Sequence, residues 1–294
     1  MKEVKAKGDL KIVPPKGSAF AYETKENLPR CHQACLVVGA RGAGKSTAVV
    51  SLIQKMPYHR VLIVSPTMKS NKELMDRLKV DATDVFEDPD DEQVIDKLKA
   101  IINEERDALE KYWKDTAKYN RLMKNMEKSN PVFQDDELLD FWSGHDFEKP
   151  KHKWNGEKCC ICILFDDCQS ATLYSKPRKL NNMVCLHRHL GAFEKGGALG
   201  ASLYFLCQNF KCQAGGITRA IRSNATSLIL FQNKNQKMLD EIADECAGEI
   251  DPKTFMRLYH AAVKEKHDFL FLDFFPKSSH PSGFRRNYDT FLIP

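Results

Sequence analysis

Cys35–Ile53 reads CLVVGARGAGKSTAVVSLI. A short apolar run enters a glycine-rich stretch that closes on Lys45, Ser46 and Thr47, and a second apolar run follows. The first run reads as a buried strand and the last as a helix. Between them Gly39, Gly42 and Gly44 permit backbone angles that a Cβ forbids. The N–H groups of Ala40, Arg41, Ala43 and their neighbours can then converge on one anion, and the helix points its positive end at the same place. The spacing G-x-x-x-x-G-K-[ST] is complete from Gly39 to Ser46. In that pattern Lys45 reaches the β- and γ-phosphates of a nucleotide, Ser46 offers its hydroxyl to Mg²⁺, and residues 39–47 form the cradle. An ordinary glycine-rich turn leaves Lys45 and Ser46 together unexplained.

The chain has 294 residues, 42% hydrophobic and 29% charged, enough for one large α/β domain or two small ones. We read residues 1–294 as one domain with an extended lead-in over 1–30, where Pro14, Pro15 and Pro29 oppose helix. A net charge of +5 permits nucleic-acid contact without demanding it. No apolar run has the length of a membrane span. The start, MKEVKAKGDLKIVPPKGS, lacks the apolar core of a signal peptide, so secretion is not expected. The ten cysteines form no pair of C-x-x-C motifs. They read as small apolar core residues of a protein kept reduced, ahead of a zinc site.

After the phosphate loop, RVLIVSPT (60–67) is a second buried strand, so the pair is parallel with a right-handed crossover. NKELMDRL is a short helix and EDPDDE an acidic turn. From Glu92 to Lys128 there is neither Gly nor Pro, and Ile95, Leu98, Ile102, Leu109, Tyr112, Tyr119, Met123 and Met126 recur in steps of three and four. Glu105 and Thr116 interrupt the seam. The segment 92–130 reads as a helical insertion, either one helix or two broken near Thr116, ended by Asn130-Pro131. Its stripe reads as packing against its own domain, ahead of a projecting arm. Three further strands follow in KCCICILFDDCQS, ALGASLYFLCQNF and ATSLILFQN, then a helix in DPKTFMRLYHAAVKE capped by Asp251, and a last strand in DFLFLDFF. The whole is α/β with a mostly parallel central sheet flanked by helices.

A metal-assisted phosphate site needs oxygen ligands and a group that positions water. The strand ending CILFDD supplies both: Asp166 for the Mg²⁺ shell, through water, and Asp167 to orient or deprotonate the attacking water. Gln208, at the carboxyl end of LYFLCQ, falls beside the nucleotide of an open α/β sheet, where it can sense the γ-phosphate. LILFQNKNQ places Asn233 and Lys234 like a guanine-reading N-K-x-D, but Gln236 stands where the carboxylate belongs, so GTP specificity is rejected.

With GARGAGKST, VLIVSPT, ILFDDC, LHRHLG ahead of LYFLCQN, and AIRSNATSLILF in this order, the chain resembles the genome-packaging ATPases of nucleocytoplasmic large DNA viruses. These poxvirus-like packaging ATPases are P-loop NTPases of the RecA/FtsK–HerA-like kind. The resemblance runs from about residue 34 to 232, and DFLFLDFF with FRRNYDTFL is similar to the family's terminal strand and tail. It implies an ATPase using ATP and Mg²⁺ that pumps double-stranded DNA into a preformed capsid. It implies a homo-oligomeric ring, pentamer or hexamer, with viral capsid or internal membrane components as partners, in the host cytoplasm at assembly sites or in the virion. By motif match Lys45 and Ser46 bind phosphate and metal, Asp166 and Asp167 are the paired acids, and Gln208 is the sensor. Arg222 in IRSN is the candidate arginine finger given to a neighbour, with Arg219 and Arg188 in reserve and Arg41 as a finger in cis or a solvent-facing residue. One departure is the separation of 120 positions between Ser46 and Asp166, wide for a minimal fold.

DNA-phosphate loops are sought in SKPRKL (Lys176, Arg178, Lys179) and at Lys211 ahead of Gly215 and Gly216, each reading equally as a solvated surface. Two other function classes compete: a P-loop kinase of a small molecule, and a nucleotide-dependent virion scaffold. The adjacent acids and strand-end Gln suit water activation better than phosphoryl transfer to a bound acceptor.

Overall fold

The computed structural model describes residues 22–68, 72–128, 148–211, 216–248 and 250–294. The lead-in up to residue 21, the Asn130-Pro131 stop and Gly215 lie outside them.

Buried β-rich runs make the strands and the glycine loop turns the first of them into a helix. β1 (Ala34–Val38) feeds α1 (Lys45–Ile53), then β2 (Arg60–Val64), α2 (Lys72–Leu78), β3 (Val85–Phe86) and the long α3 (Val94–Met126). Next come β4 (Ile161–Phe165), the short α4 (Thr172–Ser175) and α5 (Arg178–Leu186), then β5 (Ala201–Cys207), α6 (Arg219–Ser223) and β6 (Ser227–Phe231). The chain ends in α7 (Gln236–Cys246), α8 (Pro252–Ala262), β7 (Phe269–Asp273), β8 (Phe284–Arg286) and β9 (Thr290–Leu292). The strands form one sheet in the order β3-β2-β4-β5-β1-β6-β7-β8-β9. It is parallel from β3 through β6 and antiparallel through β7, β8 and β9.

One face is covered by α1 and α2, with Val49, Val50, Leu52, Ile53 and Leu74 packed on Val37, Ile63 and Leu164. The other carries α3 and the helices from α4 onward, with Leu98, Leu180, Ile221, Ile242 and Phe255 on Leu36, Ile163 and Leu203. Each such buried aliphatic side chain stabilises the fold by roughly 1.5–3 kcal/mol. Cysteines serve both layers: Cys35, Cys160 and Cys162 on one, Cys159, Cys168, Cys207 and Cys246 on the other.

α3 is a single unbroken helix through Thr116, which decides between one helix and two. Its seam packs on the sheet through Val94, Ile95, Leu98, Ile102 and Leu109, and Trp113 meets Phe193 at 5.2 Å. Glu105 interrupts the apolar seam because it is a buried acid with partners. Arg60 at the start of β2 donates to it at 2.8 Å, and the Trp154 indole N–H donates to its other oxygen at 2.8 Å. The same guanidinium holds Asp84 at 2.9 and 2.6 Å. The Asp251 carboxylate caps α8, accepting from the N–H groups of Lys253 and Thr254.

The end of the chain closes over its described beginning. Arg285, fully buried, donates to the carbonyl oxygen of Asn27, while Lys277 donates to those of Thr24 and Lys25. The Tyr288 hydroxyl donates to the Ala48 carbonyl at 2.9 Å, bracing the first turn of α1.

Candidate nucleotide site

Parallel pairing brings the chemistry to one rim. Val38 pairs with Cys207 and Phe165 with Phe205, so Gly39, Asp166 and Gln208 emerge at the same end of the sheet. β5 lies between the loop strand β1 and the acid strand β4, which puts Gln208 between the phosphate loop and the two acids. Lys45, Ser46, Asp166, Asp167 and Gln208 line one cavity of about 710 Å³.

Each loop glycine has its own reason. Gly42 (φ 75°) and Gly44 (φ 100°) are left-handed, the conformation that glycine takes without strain. Gly39 is not: a Cβ there would lie 2.8 Å from the Cβ of Phe231, so close packing against β6, and not a positive φ, calls for glycine. Lys45 is buried and donates to the carbonyl oxygens of Gly39 at 2.9 Å and Ala40 at 3.1 Å. Burial lowers its pKa from the ordinary lysine value, against the opposing pull of Asp166. Arg41 is exposed on the cavity wall.

Asp166 is buried and accepts the Ser46 hydroxyl at 2.8 Å. Burial raises its pKa, while Ser46 and Lys45 pull it back down. A hydroxyl and a carboxylate converging in this way are a fitting hard-oxygen pair for Mg²⁺, whose remaining ligands are ordinarily phosphates and waters. Asp167 is exposed, with a left-handed backbone (φ 53°), and accepts the Thr67 hydroxyl at 3.2 Å. Gln169 ties the two strand ends together: its side-chain oxygen accepts from the Gln208 N–H at 2.6 Å and its amide donates to the Asn209 carbonyl at 3.1 Å.

Sequence reasoning missed Thr67, Gln169 and His267. Thr67 looked like part of a Ser-Pro turn, and Gln169 stands two residues after Asp167, where its polarity alone was the signal. His267 had no local signal; it reaches the loop from the turn before β7, and its Nδ1 lies 3.0 Å from the Ala43 carbonyl.

Of the candidate finger arginines only Arg41 lines this cavity. Arg222 Nε donates to Glu245 at 2.8 Å, its Nη1 donates to the Ile217 carbonyl at 2.6 Å, and the guanidinium stacks 5.4 Å from the Phe210 ring centre. It is held within its own chain by Glu245, not by Asp166 or Asp167. Arg219 and Arg188 are exposed. Arg188 lines a cavity with Gln33, Asn224 and Thr226, at the opposite end of the strands from the phosphate loop. The lysines sought for DNA are exposed, each in a surface ion pair: Lys176 with Glu92, Lys179 with Asp96 and Lys211 with Glu245.

No protein-family model and no curated protein sequence matches the chain. Among solved structures it is similar to the pCW3 conjugation coupling protein TcpA, monomer form with ATPγS, at 17% identity and a TM-score of 0.44. That likeness covers 88% of this chain and spans only 61% of the coupling protein. It is also similar to the genome packaging NTPase B204 from Sulfolobus turreted icosahedral virus 2. With ATPγS the values are 11% identity, TM-score 0.38, 82% of this chain and 92% of that one; with sulfate they are 12%, 0.41, 82% and 91%. Among the described residues no helix is long and apolar enough to cross a membrane.

Proposed function

We propose that the chain hydrolyses ATP and uses the energy to drive double-stranded viral DNA into a preformed capsid, acting as a homo-oligomeric ring. The observation that carries the hydrolytic part is the convergence of Lys45, Ser46, Asp166, Asp167 and Gln208 on one cavity. Lys45 would exchange the Gly39 and Ala40 carbonyls for phosphate oxygens, as a point cation on the β- and γ-groups. Ser46 and Asp166 would hold Mg²⁺, which when bound neutralises charge on those oxygens. Asp167, oriented by Thr67, would take the proton of the attacking water, and Gln208 would contact that water or the γ-phosphate. The motor part is supported by the resemblance of the motifs in their order. To serve as the finger given to a neighbour's site Arg222 would have to leave Glu245, whereas the reserves Arg219 and Arg188 are exposed, and we take Arg188 as the first of these to test. It is exposed on the opposite rim, where a second copy could present it in trans.

The test is phosphate release with and without linear double-stranded DNA. A translocase is stimulated by DNA. Hydrolysis unchanged by DNA would overturn the motor reading, and no hydrolysis at all would favour a nucleotide-dependent scaffold. Phosphoryl transfer to a small acceptor in place of water would favour a kinase.

A further inference from the structure

The two flanks of the phosphate loop are unequal. Both acids and Gln208 come from β4 and β5, on one side of β1. His267 comes from the other side, beyond β6, in the turn that leads into β7. If the γ-phosphate faces the acids, a nucleotide lying along the loop sends its nucleoside out on the His267 side. There the imidazole stands against the loop. Its Nδ1 is 3.0 Å from the Ala43 carbonyl, and the same atom is 3.3 Å from where a Cβ on Gly44 would sit. A side chain on Gly44 would crowd it out.

The placement is built, not incidental. His267 has a left-handed backbone (φ 73°), uncommon for a residue with a Cβ. The turn is locked by Asp268, whose N–H donates to the Glu265 carbonyl at 3.1 Å and whose carboxylate accepts from the Asn287 amide at 2.9 Å. Asn287 in turn accepts from the Phe269 N–H at 3.2 Å. His267 lines the same cavity as Lys45 and Gln208.

We infer that His267 is a specificity-determining residue that receives the ribose of the bound nucleotide. A carbonyl oxygen only accepts, so Nδ1 carries the proton toward Ala43, and in that tautomer Nε2 is the acceptor of the ring. An acceptor suits a sugar hydroxyl and not a phosphate oxygen. The ligand class is therefore a ribose-bearing triphosphate, held at one end by Lys45 and at the other by His267. The inference rests on the nucleotide reading above.

The experiment compares Mg·ATP with Mg·tripolyphosphate, which has the phosphates without the nucleoside, by calorimetric titration of the full chain. His267→Asn is the variant, since Asn tolerates a left-handed backbone and its side chain is too short to bridge. A thermal melt confirms folding, and His267→Gly repeats the comparison with the backbone relaxed. The expected result is a loss of about three- to tenfold in ATP affinity, the scale of one neutral hydrogen bond, with tripolyphosphate within about twofold of wild type. An equal loss for both ligands would make His267 a brace of the loop and overturn the inference, as would an unchanged ATP affinity. If wild type binds neither ligand, the phosphate-site reading fails and takes the inference with it, an outcome distinct from the other two.

Discussion

The Ser46 hydroxyl donates to Asp166 at 2.8 Å although 120 positions of sequence separate them. The bond joins the first turn of α1 to the end of β4, so the loop that would hold phosphate and the strand that would hold metal are one unit. The neighbouring acid, Asp167, stands outside this bond and faces solvent.

That division predicts different losses. Lys45→Ala should reduce ATP hydrolysis by at least about a hundredfold, since the phosphates lose their point cation. Asp167→Asn should bind ATP near normally and lose turnover by about the same factor, the usual scale for a general base. Nucleotide titration and phosphate release measure the two separately. Wild-type turnover in the Asp167 variant would show that another group activates water.

Thr67 acts on Asp167 through one hydrogen bond of 3.2 Å. Thr67→Ala should lower kcat roughly tenfold with ATP affinity unchanged, and Thr67→Ser should restore it, because the hydroxyl alone is needed. A loss that Ser does not rescue would point to packing in place of orientation.

Arg222 and Arg188 should separate stability from turnover. Arg222→Ala removes a partly exposed ion pair with Glu245 and the bond to the Ile217 carbonyl, and should lower the thermal midpoint at a cost of about 1 kcal/mol. Arg188→Ala should leave the midpoint in place and abolish DNA-stimulated hydrolysis. Mixing it with Asp167→Asn should partly restore activity, since some interfaces then pair an intact Arg188 with an intact Asp167. No recovery in verified mixed rings would exclude a trans role for Arg188.

Glu105 should be among the costliest residues of α3. Glu105→Ala leaves a half-buried Arg60 guanidinium and the Trp154 indole N–H each short of a partner, a loss of roughly 3 kcal/mol in denaturant unfolding. Glu105→Gln should cost less, because it keeps the neutral contacts.

His32 gives the fold a pH dependence. Burial lowers its pKa to about 4, against about 6.5 in the unfolded chain. The unfolded state therefore binds more protons between those values. The stability from a neutral His32 is fully present above about pH 6.5 and lost as pH falls through about 4. The gap corresponds to roughly 3 kcal/mol. Thermal midpoints should fall between pH 7 and 4, and less steeply in His32→Asn, which suits the left-handed backbone at that position (φ 59°). His187, also lowered by burial, supplies part of the remaining slope.

Local signals were legible in the sequence and long-range ones were not. The loop from Gly39 to Ser46 and the strand ending in Asp166 announce themselves by periodicity and composition. The strand read in DFLFLDFF exists, but its antiparallel pairing to β6 could not be told from its own residues. The interruption at Glu105 was visible, its partners Arg60 and Trp154 were not, since they lie 45 positions before it and 49 after. His267 was invisible for the same reason: what makes it part of the site is a carbonyl 224 positions upstream.

The position of β1 sets the order in which this protein can acquire its shape. Its neighbours on either side are β5, where Ala34 pairs with Leu203, and β6, where Cys35 pairs with Ser227. During synthesis the phosphate loop leaves the ribosome long before either flank of its strand exists. An apolar strand and an apolar helix face must then wait, unpaired, for well over a hundred residues of chain. Folding is committed to distant contacts and so to slow, late closure. The nascent chain accordingly leaves the apolar runs Cys35–Val38 and Val49–Ile53 uncovered until then, and the nucleotide cradle is complete only once β6, whose Phe231 packs on Gly39, has emerged.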